Sequence, residues 1–78
     1  MHQFYVQFHS LQDVQDFVTL ASSQKCQMIV GTDRFHVNAT SFMGLFALDC
    51  RNPQPVTVEC SQDELEALKV IFGRFLAL

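Results

Sequence analysis

The stretch Asn38-Ala39-Thr40-Ser41-Phe42-Met43-Gly44-Leu45-Phe46-Ala47-Leu48 decides how this chain folds. A hydroxyl residue, Thr40 or Ser41, stands where a helix cap belongs, because its oxygen can accept from a backbone N–H that the first turn leaves free. A short apolar helix then runs through Leu48. At helical spacing Phe42, Met43 and Phe46 fall on one side, and Leu45 and Leu48 on the other. Only one side can face a sheet. The helix therefore exposes an apolar side unless it rolls to bury most of both.

Working outward, Arg34 to Asn38 alternates, with Phe35 and Val37 facing one way and Arg34, His36 and Asn38 the other. Cys26 to Val30 is a strand before it, and the short Gly31-Thr32-Asp33 link makes the two a hairpin. Upstream, Phe4, Val6 and Phe8 alternate with Gln3, Tyr5 and Gln7, a half-buried strand. Ser10, with Asp13 three positions on, starts a helix that ends near Lys25. Leu11, Val14, Phe17, Val18 and Ala21 form its apolar stripe, and Ser22, Ser23 and Gln24 weaken its end.

Downstream, Asp49 to Gln54 carries Pro53 and reads as a surface loop, followed by a strand over Pro55 to Cys60. Ser61-Gln62-Asp63-Glu64 is a capping box, in which Ser61 and Glu64 each satisfy an orphan N–H. The last helix buries Leu65, Leu68, Phe72, Phe75 and Leu76, with Ile71 widening the stripe. Gly73 costs that helix about 1 kcal/mol relative to Ala, which a tight packing contact would explain.

The element order is β-α-β-β-α-β-α over one domain, residues 1–78. It implies the α+β class: a four-stranded antiparallel sheet covered on one face by helices, an open-faced β-sandwich. The first and fourth strands are expected inside the sheet, paired by crossover, with Gln3, Gln7 and His36 on the open face.

Bulk composition narrows the function. Half the residues, 49%, are hydrophobic, eight of them Phe, so the apolar material for one core is present. The net charge is −3 and the five basic residues are scattered, leaving no stripe for a phosphate backbone; nucleic acid is not an expected partner. No apolar run approaches the ~18 residues of a membrane span, and Met1-His2-Gln3-Phe4 is unlike a secretory signal. Cys26, Cys50 and Cys60 are odd in number and lack a C-x-x-C spacing, so free cytosolic thiols are expected rather than a disulfide framework or zinc site. His2 and His36 have no metal-ligand partners at suitable spacing, and no phosphate loop, nucleophile elbow or catalytic carboxylate pair is present. No metal, cofactor or enzymatic activity is expected.

Element order and the Ser41-Phe42-Met43-Gly44 run together resemble the HPr phosphocarrier family of the phosphoenolpyruvate:sugar phosphotransferase system. In that family a Ser, an apolar residue, Met and Gly open the second helix. The resemblance implies an HPr-like fold, a bacterial cytoplasmic setting and protein partners, from the phosphotransferase system or among transcriptional regulators. It also implies that Ser41 is a candidate regulatory phosphorylation site and that Phe42, Met43 and Phe46 form a partner-docking patch.

The family's phosphate-accepting motif, Gly-Leu-His-Ala-Arg-Pro, lies between the first strand and first helix. This chain has His9-Ser10-Leu11-Gln12-Asp13-Val14-Gln15 there, without Arg or Pro, and ungapped spacing puts Leu11 at about the His position. Asp13 and Asp16 oppose the anion that the family's Arg attracts. The reading is an HPr-like interaction or regulatory protein with a degenerate active site and no phosphate carried on histidine. Two alternatives stand beside it: a working phosphocarrier using His9 as a displaced acceptor, and a small binding or assembly domain sharing only the topology.

Overall fold

The structure is a computed structural model and describes residues 2–48 and 52–77. Its elements are β1 (His2–Val6), α1 (Leu11–Ser22), β2 (Met28–Gly31), β3 (His36–Asn38), α2 (Phe42–Ala47), β4 (Gln54–Val58) and α3 (Gln62–Ile71), with a 3-10 turn at Gly73–Phe75. Part of the expected loop, residues 49–51 with Cys50, lies outside the described residues.

Alternation dictates the sheet. Phe4, Val6 and Phe8 turn inward while Gln3 and Tyr5 face out, and Val56 and Val58 of β4 and Met28 and Val30 of β2 join them beneath the helices. The sheet order is β1-β4-β2-β3, with every neighbouring pair antiparallel. Tyr5 pairs with Pro55 and Val30 with Val56.

Here the expectation that the first strand sits inside is corrected: β4 and β2 are central and β1 is an edge. That edge is nonetheless covered. Gln7 donates its N–H to the Phe75 carbonyl at 2.8 Å, Ala77 donates to the Tyr5 carbonyl at 2.9 Å, and Val6 and Leu76 bridge. An unpaired edge is a template for other chains, and residues 75–77 cover the Tyr5–Gln7 end of this one.

Three helices fill the inner face. Phe17 of α1 is wholly buried at the hub of an aromatic cluster. Its ring lies 5.0 Å from Phe8, 5.1 Å from Phe72 and 5.6 Å from Phe75, mostly edge-on. Such pairs add about 0.5–1.5 kcal/mol each beyond simple burial.

Gly31 joins β2 to the turn with φ at +121°, a conformation that L side chains rarely adopt, and a Cβ there would stand 2.4 Å from the Phe35 carbonyl oxygen. Gly44 is required by a close approach: a Cβ would meet Ser41 Oγ and Val37 Cβ at 2.9 Å each. This glycine lets α2 lie down on β3.

Several other expectations are corrected. The second strand begins at Met28, so Cys26 belongs to the bend before it. Leu11, at the first position of α1, is 52% exposed, and burial on that helix begins one turn later at Val14. Phe35 is 52% exposed, since it lies in the turn before β3 rather than in the strand. The last helix stops at Ile71, which is exposed; the 3-10 turn then delivers Phe75 to the core and Leu76 to the β1 edge. No packing contact explains Gly73, which has nothing within 4 Å of a Cβ. It opens the turn that ends the helix.

Candidate functional site

The first turn of α1 is built by its own side chains. Ser10 is extended, and its Oγ accepts from the Asp13 N–H at 3.2 Å. Asp13 reaches back so that Oδ2 accepts from the His9 N–H at 3.0 Å. A carboxylate at the positive end of the helix is favoured there.

Arg74 completes this cluster from the far end of the chain. The 3-10 turn aims its guanidinium across the start of α1, where Nη2 meets Asp13 Oδ1 at 2.7 Å and Nη1 meets Asp16 Oδ2 at 3.0 Å. The guanidinium also lies over the Phe75 ring, 4.6 Å from its centre. Asp16 Oδ1 accepts from Gln12 Nε2 at 2.9 Å. That bond, and then the bonds from Arg74, lower the Asp16 carboxyl below its ordinary value. Each oxygen of both carboxylates thus has a donor.

His9 lies just before this turn and is exposed. Its backbone N–H is taken by Asp13, while its ring has no hydrogen-bond partner among the described residues. Leu11, near which the spacing placed a phosphate acceptor, offers only an exposed aliphatic chain.

The second part of the surface is α2. Asn38 Oδ1 accepts from both the N–H and the hydroxyl of Thr40, at 3.0 and 2.7 Å. Thr40 is thereby engaged, and Ser41 is the cap: its Oγ accepts from the Gly44 N–H at 3.1 Å. Leu45 and Leu48 are buried, Met43 and Phe46 are 73% and 60% exposed, and Phe42 is half-buried with its ring 6.2 Å from Phe46. Phe42 also lines a shallow groove with Gln12, Gln15, Asp16, Val18 and Thr19 of α1. Asp16 therefore belongs both to the arginine clamp and to the border of the apolar patch. The two halves make one continuous surface.

The clamp was not legible in the sequence. Arg74 stands near the chain end among scattered basic residues, and no local spacing links it to Asp13 or Asp16. His36 Nδ1 donates to the Thr32 carbonyl oxygen at 3.1 Å. No group of three or more metal-ligating side chains occurs among the described residues.

An open-faced antiparallel sheet of four strands under three helices, with a polar clamp at the start of α1 beside an apolar patch on α2, defines a small α+β protein of the open-faced sandwich class. The family model described as the PTS HPr component phosphorylation site matches residues 12–73, and the chain belongs to the HPr family. Among solved structures it is similar to HPr-C-His from Thermoanaerobacter tengcongensis, at 28% identity and a TM-score of 0.75, over 96% of this chain and 91% of that one. No curated protein matches the chain.

Proposed function

We propose that this chain is an HPr-like interaction or regulatory protein of the phosphotransferase system that carries no phosphate on a histidine and has no enzymatic activity. One observation supports this above the others: Arg74 is committed to Asp13 and Asp16 at the start of α1. Phosphoryl capture at a helix N-terminus draws on free N–H groups and an uncommitted cation. Here a carboxylate occupies the first turn, and a second one shares the cation. Two acids against one guanidinium leave the locality negative, and an incoming phosphate is repelled.

The role left to the surface is docking. Phe42, Met43 and Phe46 present apolar area beside a polar groove, a composition suited to a protein partner in the cytoplasm, from the phosphotransferase system or among transcriptional regulators. Ser41 sits at the margin of that patch, and a phosphate on it adds up to two negative charges there. An aspartate in its place keeps a capping oxygen, so the fold should survive while partner affinity changes.

The displaced-acceptor reading keeps one observation in its favour, the exposed and unbonded His9 ring. The same experiment separates the two. The protein is incubated with Enzyme I, phosphoenolpyruvate and magnesium, alongside a His9→Ala variant. The proposal expects no acid-labile label on either. Stable labelling that vanishes in His9→Ala would overturn it.

A further inference from the structure

Away from the α1–α2 surface, the fold gathers a second set of reactive side chains: Cys26, Cys60 and Glu64. The ladder between β2 and β4 pairs Met28 with Val58, and Glu59 donates its N–H to the Gln27 carbonyl at 3.4 Å. Counted on from these pairs, Cys26 in the bend before β2 and Cys60 after β4 are the next two positions to come side by side. Because Glu59 donates to Gln27, a ladder continued by one more pair would make 26 and 60 a non-hydrogen-bonded pair. Facing Cα atoms there are about 4.5 Å apart, within the ~4.4–6.8 Å that a disulfide spans.

The side chains agree with the backbone. Both thiols are free, half-buried and packed against the one core, so they lie on the same side of the sheet. The Cys26 thiol donates to Glu64 Oε2 at 3.7 Å, and the Cys60 thiol is near enough to push the Cys26 thiol further up. Glu64 is itself held in place, its Oε1 accepting from the Ser61 N–H at 2.9 Å. A groove lined by Ser23, Lys25, Glu64 and Ile71 opens onto Cys26. Two thiols and a fixed carboxylate are thus brought together from distant parts of the chain.

We propose that Cys26 and Cys60 form a reversible redox pair that closes to a cross-strand disulfide when the protein meets a peroxide. In the first step the Cys60 sulfur attacks hydrogen peroxide, giving a sulfenic acid and one water. The Cys26 sulfur then attacks the Cys60 sulfur, and the sulfenic hydroxyl leaves with the Cys26 thiol proton as the second water. Two thiols and one peroxide become one disulfide and two waters. Burial, and then the Glu64 charge, push the Cys26 thiol up from its ordinary value, which disfavours it as the sulfur that meets peroxide first. A small thiol reductant entering the groove reverses the bond by exchange at Cys26. This pair is independent of the phosphotransferase reading and stands or falls separately.

The test uses the full chain carrying Cys50→Ser, so that the third cysteine cannot compete, and the unaltered chain in parallel. Reduced protein is treated with graded hydrogen peroxide, then alkylated, weighed and digested. The expected result is joint loss of both thiols, a mass lower by two hydrogens, and a peptide linking Cys26 to Cys60, all reversed by dithiothreitol. The thermal midpoint should rise by roughly 10 °C or more on closure. In Cys26→Ser the Cys60 sulfenic acid should instead persist and be trapped by dimedone. Independent over-oxidation of the two cysteines without a linked peptide, in both proteins, would overturn the proposal, as would a lower midpoint on closure.

Discussion

Replacing Gly44 with alanine adds one methyl group at the point where α2 comes closest to β3. In the helix alone the change is favourable by at most about 1 kcal/mol. Against this, the new Cβ would stand 2.9 Å from Val37 Cβ, 3.0 Å from Val37 Cγ1 and 2.9 Å from Ser41 Oγ. Val37 Cβ is fixed by the strand backbone and cannot swing away. If Ser41 turns aside, the Gly44 N–H loses its acceptor, at a cost of about 1 kcal/mol. Overpacking costs about 1–3 kcal/mol more, so the net effect is a loss of about 2 kcal/mol. For a chain this short the thermal midpoint should fall by roughly 8–16 °C. Gly73→Ala is the internal control: nothing lies within 4 Å of its Cβ, and it should be neutral or stabilising by about 0.5–1 kcal/mol. Calorimetry of the two variants decides the matter. A Gly44→Ala protein as stable as the parent would refute the close-approach argument, and a loss in Gly73→Ala would refute the way space is being counted.

Phe17→Ala should cost about 3–5 kcal/mol, because its ring touches three others at the centre of the core; urea unfolding measures it, and a loss under half that size would displace Phe17 from the hub. Ser61→Ala removes one half of the α3 capping box and should lower stability by about 1 kcal/mol, with Ser61→Asp restoring most of it. The Asp16 carboxyl is lowered in the folded protein, so its stabilising contribution is complete above its unfolded value and is lost as pH falls through the folded one. Acid unfolding followed by circular dichroism should show that contribution shrinking in Gln12→Ala and in Arg74→Gln, and identical acid profiles for all three proteins would show that neither bond matters. Phe46→Ala should weaken partner binding without changing the thermal midpoint, because that ring is mostly exposed; a stability loss above about 1 kcal/mol would mark it as core.

What the chain reveals before folding depends on how far apart the interacting residues stand. The alternation of Phe4, Val6 and Phe8, the capping box at Ser61, and the division of α2 into a Leu45 side and a Phe46 side are all set by neighbours within a few positions, whereas the outward direction of the Phe46 side is implied only by the resemblance. They were readable, and with them the sheet and the helices. Arg74 meets Asp13 and Asp16 only because a 3-10 turn follows α3, and that turn depends on a break at Gly73 which periodicity continued straight through. The same break sends Leu76 to the β1 edge instead of into a helical stripe. Leu11 and Phe35 looked inward on period alone, but each lies just where its element meets a turn, and there period no longer fixes direction. Cys26 and Cys60 stand far apart in the chain with no motif spacing, and only the pairing of β2 with β4 brings their neighbourhoods together.

The order of the sheet has a consequence for synthesis on the ribosome. β1 is made first, yet its ladder partner β4 ends at Val58, and its outer edge is closed only by Phe75, Leu76 and Ala77. Until residue 77 has emerged, β1 has at least one row of unpaired backbone groups, and α1 has no Arg74 to hold its aspartates. The nascent chain can form the β2–β3 hairpin and the capped start of α1 early, since both close short loops, while the long closures that bring β1 to β4 and to the chain end come last. During that interval the first strand is open to capture by a chaperone or by a neighbouring nascent chain.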